Sequence, residues 1–218
     1  LSPRAQLPVA AAARDVRFPA PTATPIRLTH RGARDQAAAV MAWPTGGGIA
    51  GISEGRQLET LAAIFRDRLF EKFRAEQAAS YSPDMAANWP VDFNSGGYLM
   101  AYTQVKPTDV DRFFAFADSV AADLIAHPVS ADELQRAVEP TKQAIERAAS
   151  GNTFWLNQLK GSTYDPERFT ALGTLYSDYN SVTPEILQSL AKRYFVKDKA
   201  WKLVVAPQSA NADAASSR

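Results

Sequence analysis

The sequence predicts an α+β domain: an antiparallel or mixed sheet with helices packed on one face. Three observations carry this. A helical stretch of about six turns begins at Ser53, long enough to buttress a whole sheet. Strand-like and helix-like runs are grouped instead of alternating, in the order strand, long helix, two strands, several helices, strand. The chain has 218 residues, 46% of them hydrophobic, which suits one core and one domain.

The elements follow in order. Leu1 to Pro25 holds five prolines, many alanines and little periodicity, and predicts a linker or extended arm that wraps a neighbour. The domain proper is expected over 26–207. Ile26 to Leu28 predicts a short strand. Gln36 to Trp43 predicts a small apolar strand, stopped by Pro44, which has no N–H to give a ladder. Thr45 to Ile52 is a loop with four glycines. In the long helix, Leu58, Leu61, Ala62, Phe65, Leu69 and Phe73 recur at three- and four-residue steps and form one stripe. Arg56, Glu59, Arg66, Asp67, Glu71 and Arg74 cover much of the remaining surface.

After a short link, Gln77 to Ser80, the runs Tyr81 to Trp89 and Gly97 to Val105 predict two strands. The turn between them is short, so they should be antiparallel neighbours. Pro107 suits a helix's first turn, and Val110, Phe113, Phe114, Ala117, Val120, Ala121, Leu124 and Ile125 form the next stripe, which ends at His127. Ser130 and Glu133 fit a capping box. Pro140 predicts a kink or break between Ser130 and Ser150, because its ring crowds the preceding turn. Asn152, Asp165 and Thr183 read as N-caps of three more short helices. Trp201 to Ala206 predicts a closing strand, and 208–218 a frayed tail.

The charges nearly cancel, at a net +1, so nothing points to nucleic acid or an anionic membrane. No apolar run approaches the length of a membrane span. The chain opens on Leu1 without a signal-peptide pattern, and is expected to be a piece of a longer polypeptide. It has no cysteine, which excludes disulfides and thiolate ligands.

The chemistry-bearing motifs are few. The two histidines, His30 and His127, form no helical ligand pair, so no catalytic zinc is expected in this segment. His127 reads as a helix-end residue and His30 as a polar loop contact. Gly46, Gly48 and Gly51 spell G-x-G-x-x-G, but the helix opens only after them, so its amides are not placed over a pyrophosphate. A flexible glycine loop is the better reading, with a hinge or a peptide-contacting loop as its functional form. No G-x-S-x-G elbow is present. From spacing alone, Arg74 reads as a helix-end cation paired with Glu71 or Glu76, and Tyr81 as a half-buried strand aromatic. Seven residues apart across a helix-to-strand corner, both can also face the space beyond the helix end.

The segment DRLFEKFRAEQAASYSP, from Asp67 to Pro83, resembles the C-terminal, non-zinc domain of the pitrilysin/insulinase (M16) family of zinc metallopeptidases. There a helix ending RLF..LRE leads through a short link into YS. Phe73 replaces the usual Leu, and Gln77-Ala78 stands where Leu-Gly is common. The resemblance extends to THRGARDQA at Thr29–Ala37, AWPT at Ala42–Thr45, the Gly96-Gly97 turn, SADELQRAVEP at Ser130–Pro140 and NTFWLNQL at Asn152–Leu159, roughly Leu28 to Pro207. It implies the same α+β fold. It also implies a role as the substrate-binding half of a zinc metallopeptidase, inactive alone, with zinc and the general-base Glu on a companion domain of the same chain or a partner subunit. The same resemblance implies that Arg74 and Tyr81 reach the bound peptide, and that this chain itself binds no metal. A bacterial source and a periplasmic location follow by the same likeness, with the cytoplasm as the other option. A catalytically silent structural or peptide-binding module of the same fold is the alternative.

Overall fold

Five strands, β1 (Ile26–His30), β2 (Ala37–Gly46), β3 (Asp84–Asn88), β4 (Ser95–Val105) and β5 (Trp201–Pro207), form one mixed sheet in the order β1-β5-β2-β4-β3. The structure is a computed structural model and describes residues 16–75 and 82–208. Only the β1–β5 pair is parallel; β5–β2, β2–β4 and β4–β3 are antiparallel. Among the described residues seven α-helices accompany the sheet: α1 (Ile52–Ala75), α2 (Val110–Ala126), α3 (Ala131–Ala149), α4 (Asn152–Leu159), α5 (Glu167–Gly173), α6 (Leu175–Asn180) and α7 (Pro184–Tyr194). This is the expected α+β class.

Alternation decides which face of the sheet is covered. Ala37, Ala39, Met41 and Trp43 of β2 and Leu99, Ala101, Thr103 and Val105 of β4 are buried. Their neighbours Val40, Tyr98, Met100, Tyr102 and Gln104 are half-buried or exposed. The buried face meets the apolar stripes of α1, α2 and α7. Trp43 sits at the centre, edge-on to Phe65 of α1 at 5.9 Å and to Phe195 at 5.0 Å. Each large side chain so buried contributes about 1.5–3 kcal/mol.

The structure departs from several expectations for identifiable reasons. β2 does not stop at Pro44 but runs to Gly46. Its pairing with β5 ends at Ala42, so Pro44 lies where β2 has only β4 beside it and the missing donor is tolerated. α3 is continuous from Ala131 to Ala149, so of the kink or break expected at Pro140 the break is excluded. Pro140 is exposed, as is Arg136 one turn before it, so water can satisfy the freed carbonyl. The Ser130–Glu133 capping box is present, and Thr183 caps α7 by accepting the Ile186 N–H. Asn152 and Asp165 are not caps. Extended Gly151 takes the first role, and Pro166 precedes α5 while Arg168 draws the Asp165 carboxylate to 3.2 Å. Four short helices follow α3, not three. The strand expected from Tyr81 begins at Asp84 among the described residues.

Part of the expected arm rests on the domain itself. Thr22 N donates to Ala200 O at 3.0 Å, Lys202 N donates to Thr22 Oγ1 at 2.8 Å, and Ser95 Oγ donates to Val16 O at 3.0 Å. Residues 1–15 and most of the expected tail lie outside the described residues.

Candidate functional site

Arg74 stands in the last turn of α1, with 70% of its side chain exposed. Its neighbour Phe73 is buried and meets Phe116 of α2 edge-on at 5.0 Å, so the helix end is anchored while Arg74 stays outside the core. Lys72 and Arg74 both complement the negative end of the helix dipole. The only carboxylate placed near Arg74 among the described residues is Glu71, at 3.8 Å, a separation at which an exposed ion pair adds little. The guanidinium is therefore presented to solvent at the end of a rigid helix. Tyr81 and the link 76–81 lie outside the described residues. Where the chain resumes, Asp84 opens β3 and accepts a 2.6 Å hydrogen bond from the Tyr102 phenol on the uncovered sheet face. That bond, with some desolvation, pushes the Tyr102 pKa up.

Both histidines have ordinary partners. His30 Nδ1 lies 2.9 Å from Gly32 N and Nε2 2.9 Å from Gln36 O, so the ring is held within its own loop. His127 is the C-cap of α2, with Nδ1 2.9 Å from Asp123 Oδ1. Among the described residues no three His, Asp or Glu side chains gather as metal ligands.

The glycine loop is a packing surface. The indole of Trp89 lies across Gly46, Gly51 and Gly55, and a Cβ on Gly46 or Gly55 would come within 2.6 Å of it. Trp89 Nε1 donates to Gly48 O at 2.8 Å, and Gly48 N donates to Pro90 O at 2.8 Å. Gly48 has φ +89°, a conformation that only glycine adopts freely. The spacing that mimics a phosphate loop is thus explained by an indole laid over Gly46 and Gly51 and by the positive φ of Gly48.

Arg56, expected on the surface, is buried. Its guanidinium contacts Asp178 Oδ2 at 2.5 Å, Thr174 Oγ1 at 3.2 Å and Ala171 O at 2.8 Å, tying α1 to α5 and α6. Two tyrosines make parallel ties: Tyr179 donates to Glu59 and Tyr194 donates to Glu54. Burial first, then the adjacent carboxylates, pushes both phenols well above their usual range. The signal for Arg56 was the row Arg56, Thr60, Ile64, four residues apart, which marks a second buried face on α1. Arg68 lies between layers as well, gripping Glu133 at 2.8 and 3.0 Å and Asp123 at 2.7 Å. The Arg68 hydrogen bond is the main reason the Glu133 carboxyl is held below its usual value.

This layered arrangement is that of the inactive domains of M16 peptidases. The peptidase M16 inactive domain from Pseudomonas fluorescens superposes with a TM-score of 0.69 at 15% identity, over 88% of this chain and 45% of that one. A conserved protein from Enterococcus faecalis V583 gives 0.70 at 14% identity, over 86% of this chain and 43% of that one. The periplasmic protease PqqL from Escherichia coli gives 0.65 at 14%, over 86% of this chain and 21% of that one. At these identities the likeness is one of fold, and the chain spans less than half the length of each of these three. No family model and no curated protein matches the sequence.

Proposed function

We propose that this chain is the non-zinc half of an M16-type zinc metallopeptidase and closes a chamber around a peptide. In this reading the zinc and the general base lie on a companion domain, which supplies the attacking water. The supporting observation is Arg74: an exposed guanidinium on the rigid end of α1, in a domain of inactive-M16 fold. Its planar fork offers paired donors to a peptide carbonyl. Tyr81, on the far side of the link, would donate its hydroxyl to the oxygen that gains charge as the peptide bond is attacked. Neither role needs a metal in this chain. A periplasmic setting belongs to the same proposal; no described helix is long and apolar enough to cross a membrane. The silent-module alternative is favoured only by the Glu71 contact, which is what an ordinary surface cation would make.

The test is reconstitution. The 218-residue chain, washed with chelator and reloaded with zinc, is expected to hold no stoichiometric metal and cleave no peptide; peptide turnover is expected when a zinc-bearing half is present. One tightly held zinc per chain, with peptidase activity in this chain alone, would sink the reading.

A further inference from the structure

The helices α4 to α6 leave an apolar surface that this domain does not cover. No residue of α4 is buried, although it carries Trp155, Leu156 and Leu159. Leu156 is 73% exposed, and Tyr164 and Phe169 nearby are 72% and 64% exposed. Half of the large apolar side chains exposed in the described residues fall between Trp155 and Tyr176, so the clustering is local and not a general looseness of packing. Beside them a cleft of about 430 Å³ is walled by Phe154, Trp155, Phe169, Leu172, Leu175 and Tyr176. Its polar rim is tied down, with the Tyr176 phenol donating to Glu146 at 2.8 Å and Lys142 over the Tyr176 ring at 5.5 Å. An apolar cleft rimmed by fixed polar groups, with further exposed apolar side chains on the helix beside it, is the signature of an interface.

We infer that this α4–α6 face is the surface on which the companion half of the polypeptide docks, with apolar side chains entering the cleft. Two solved chains of this fold, from E. faecalis and P. fluorescens, are more than twice as long as the part this chain matches, so at least as much chain again accompanies the fold there. A covalently joined or permanently paired half is the occupant that an aromatic, largely uncharged surface fits, because obligate interfaces are the more apolar kind. The uncovered sheet face is less suited: the polar groups of Tyr102, Gln104 and Asp84 stand among its Val40 and Met100. The inference rests on the proposed function, in that it takes a companion half to exist.

The absence of cysteine makes a direct test practical. Leu156→Cys and, as a control on the sheet face, Gln104→Cys each introduce one thiol at an exposed position. Labelling by a maleimide fluorophore is timed with this chain alone and with the zinc-bearing half present, on the same polypeptide or as the separate subunit. The expected result is labelling of Leu156→Cys slowed at least tenfold by the companion, with Gln104→Cys unchanged. Hydrogen exchange of the α4–α6 amides in the unsubstituted protein should show the same protection, which guards against a variant that misfolds. Equal labelling of Leu156→Cys in an associated, active enzyme overturns this inference alone. Failure of any zinc-bearing half to associate, with no peptidase activity, overturns the proposed function as well. Protection in the chain alone that grows with its concentration means a second copy covers the patch, and overturns the assignment to a companion half.

Discussion

Substituting Gly55 by alanine sets two effects of opposite sign against each other. Gly55 is inside α1, where alanine ordinarily gains about 1 kcal/mol. Its Cβ would meet Trp89 Cγ at 2.6 Å and Trp89 Cβ at 2.8 Å. These atoms are the root of the side chain, and the indole is pinned at its other end by the 2.8 Å bond to Gly48 O. The ring cannot swing away, so an overpacking cost of roughly 1–3 kcal/mol applies and outweighs the helix term. Gly55→Ala should therefore destabilise the domain by up to about 2 kcal/mol. In a Trp89→Ala background the obstacle is gone, and the same substitution should stabilise by up to about 1 kcal/mol. The coupling is then the overpacking cost itself, about 1–3 kcal/mol, above the error of a double-mutant cycle. Thermal melts of the four proteins measure it, since each kcal/mol moves the midpoint by about 2–4 °C at this size. If Gly55→Ala raises the midpoint in both backgrounds, the indole is not what requires glycine there.

Two other perturbations probe the ties between layers. Arg56→Met leaves the Asp178 carboxylate buried without its partner and should cost about 3–5 kcal/mol in urea unfolding; a loss under 1 kcal/mol would mean the pair is solvated. Glu133 has a folded pKa below its ordinary 4.5, so its stabilising contribution is full above that value and is lost as pH falls through the lower folded pKa. Glu133→Gln should flatten this part of the acid limb of the stability profile, and an unchanged limb would show that Arg68 does not favour the ionised form.

The sequence made the architecture legible wherever burial follows a period. The stripe Leu58 to Phe73, the alternation in β4 and the Val110 to Leu124 stripe all face the core as their spacing demands. It failed where the deciding partner is distant in the chain. Arg56 reads as a surface charge until Asp178, more than a hundred residues later, is folded beside it. The glycines read as a loop until Trp89 is laid across them. Pro44 reads as a strand end unless one knows that β5 has already left its flank. Of the candidate site, the exposure of Arg74 followed from its place on the polar side of α1, while its suggested role and that of Tyr81 rest on the family resemblance, since spacing alone also allows a plain surface cation and a strand aromatic.

The most direct test of the central claim is steady-state peptide cleavage by the complete enzyme carrying Tyr81→Phe, Arg74→Ala or Arg74→Lys, with a thermal melt of each. If the phenol acts mainly in the transition state, Tyr81→Phe should lower kcat by roughly 10²–10³-fold with a smaller change in KM. Arg74→Ala should raise KM as well, and Arg74→Lys should rescue poorly, because an ammonium cannot reproduce the guanidinium fork. Arg74 is largely exposed, so the melts of its variants should match the parent. Parental kinetics in Tyr81→Phe and Arg74→Ala, or activity that falls only in step with folding, would contradict the account and leave Arg74 as a surface cation and Tyr81 as a strand aromatic.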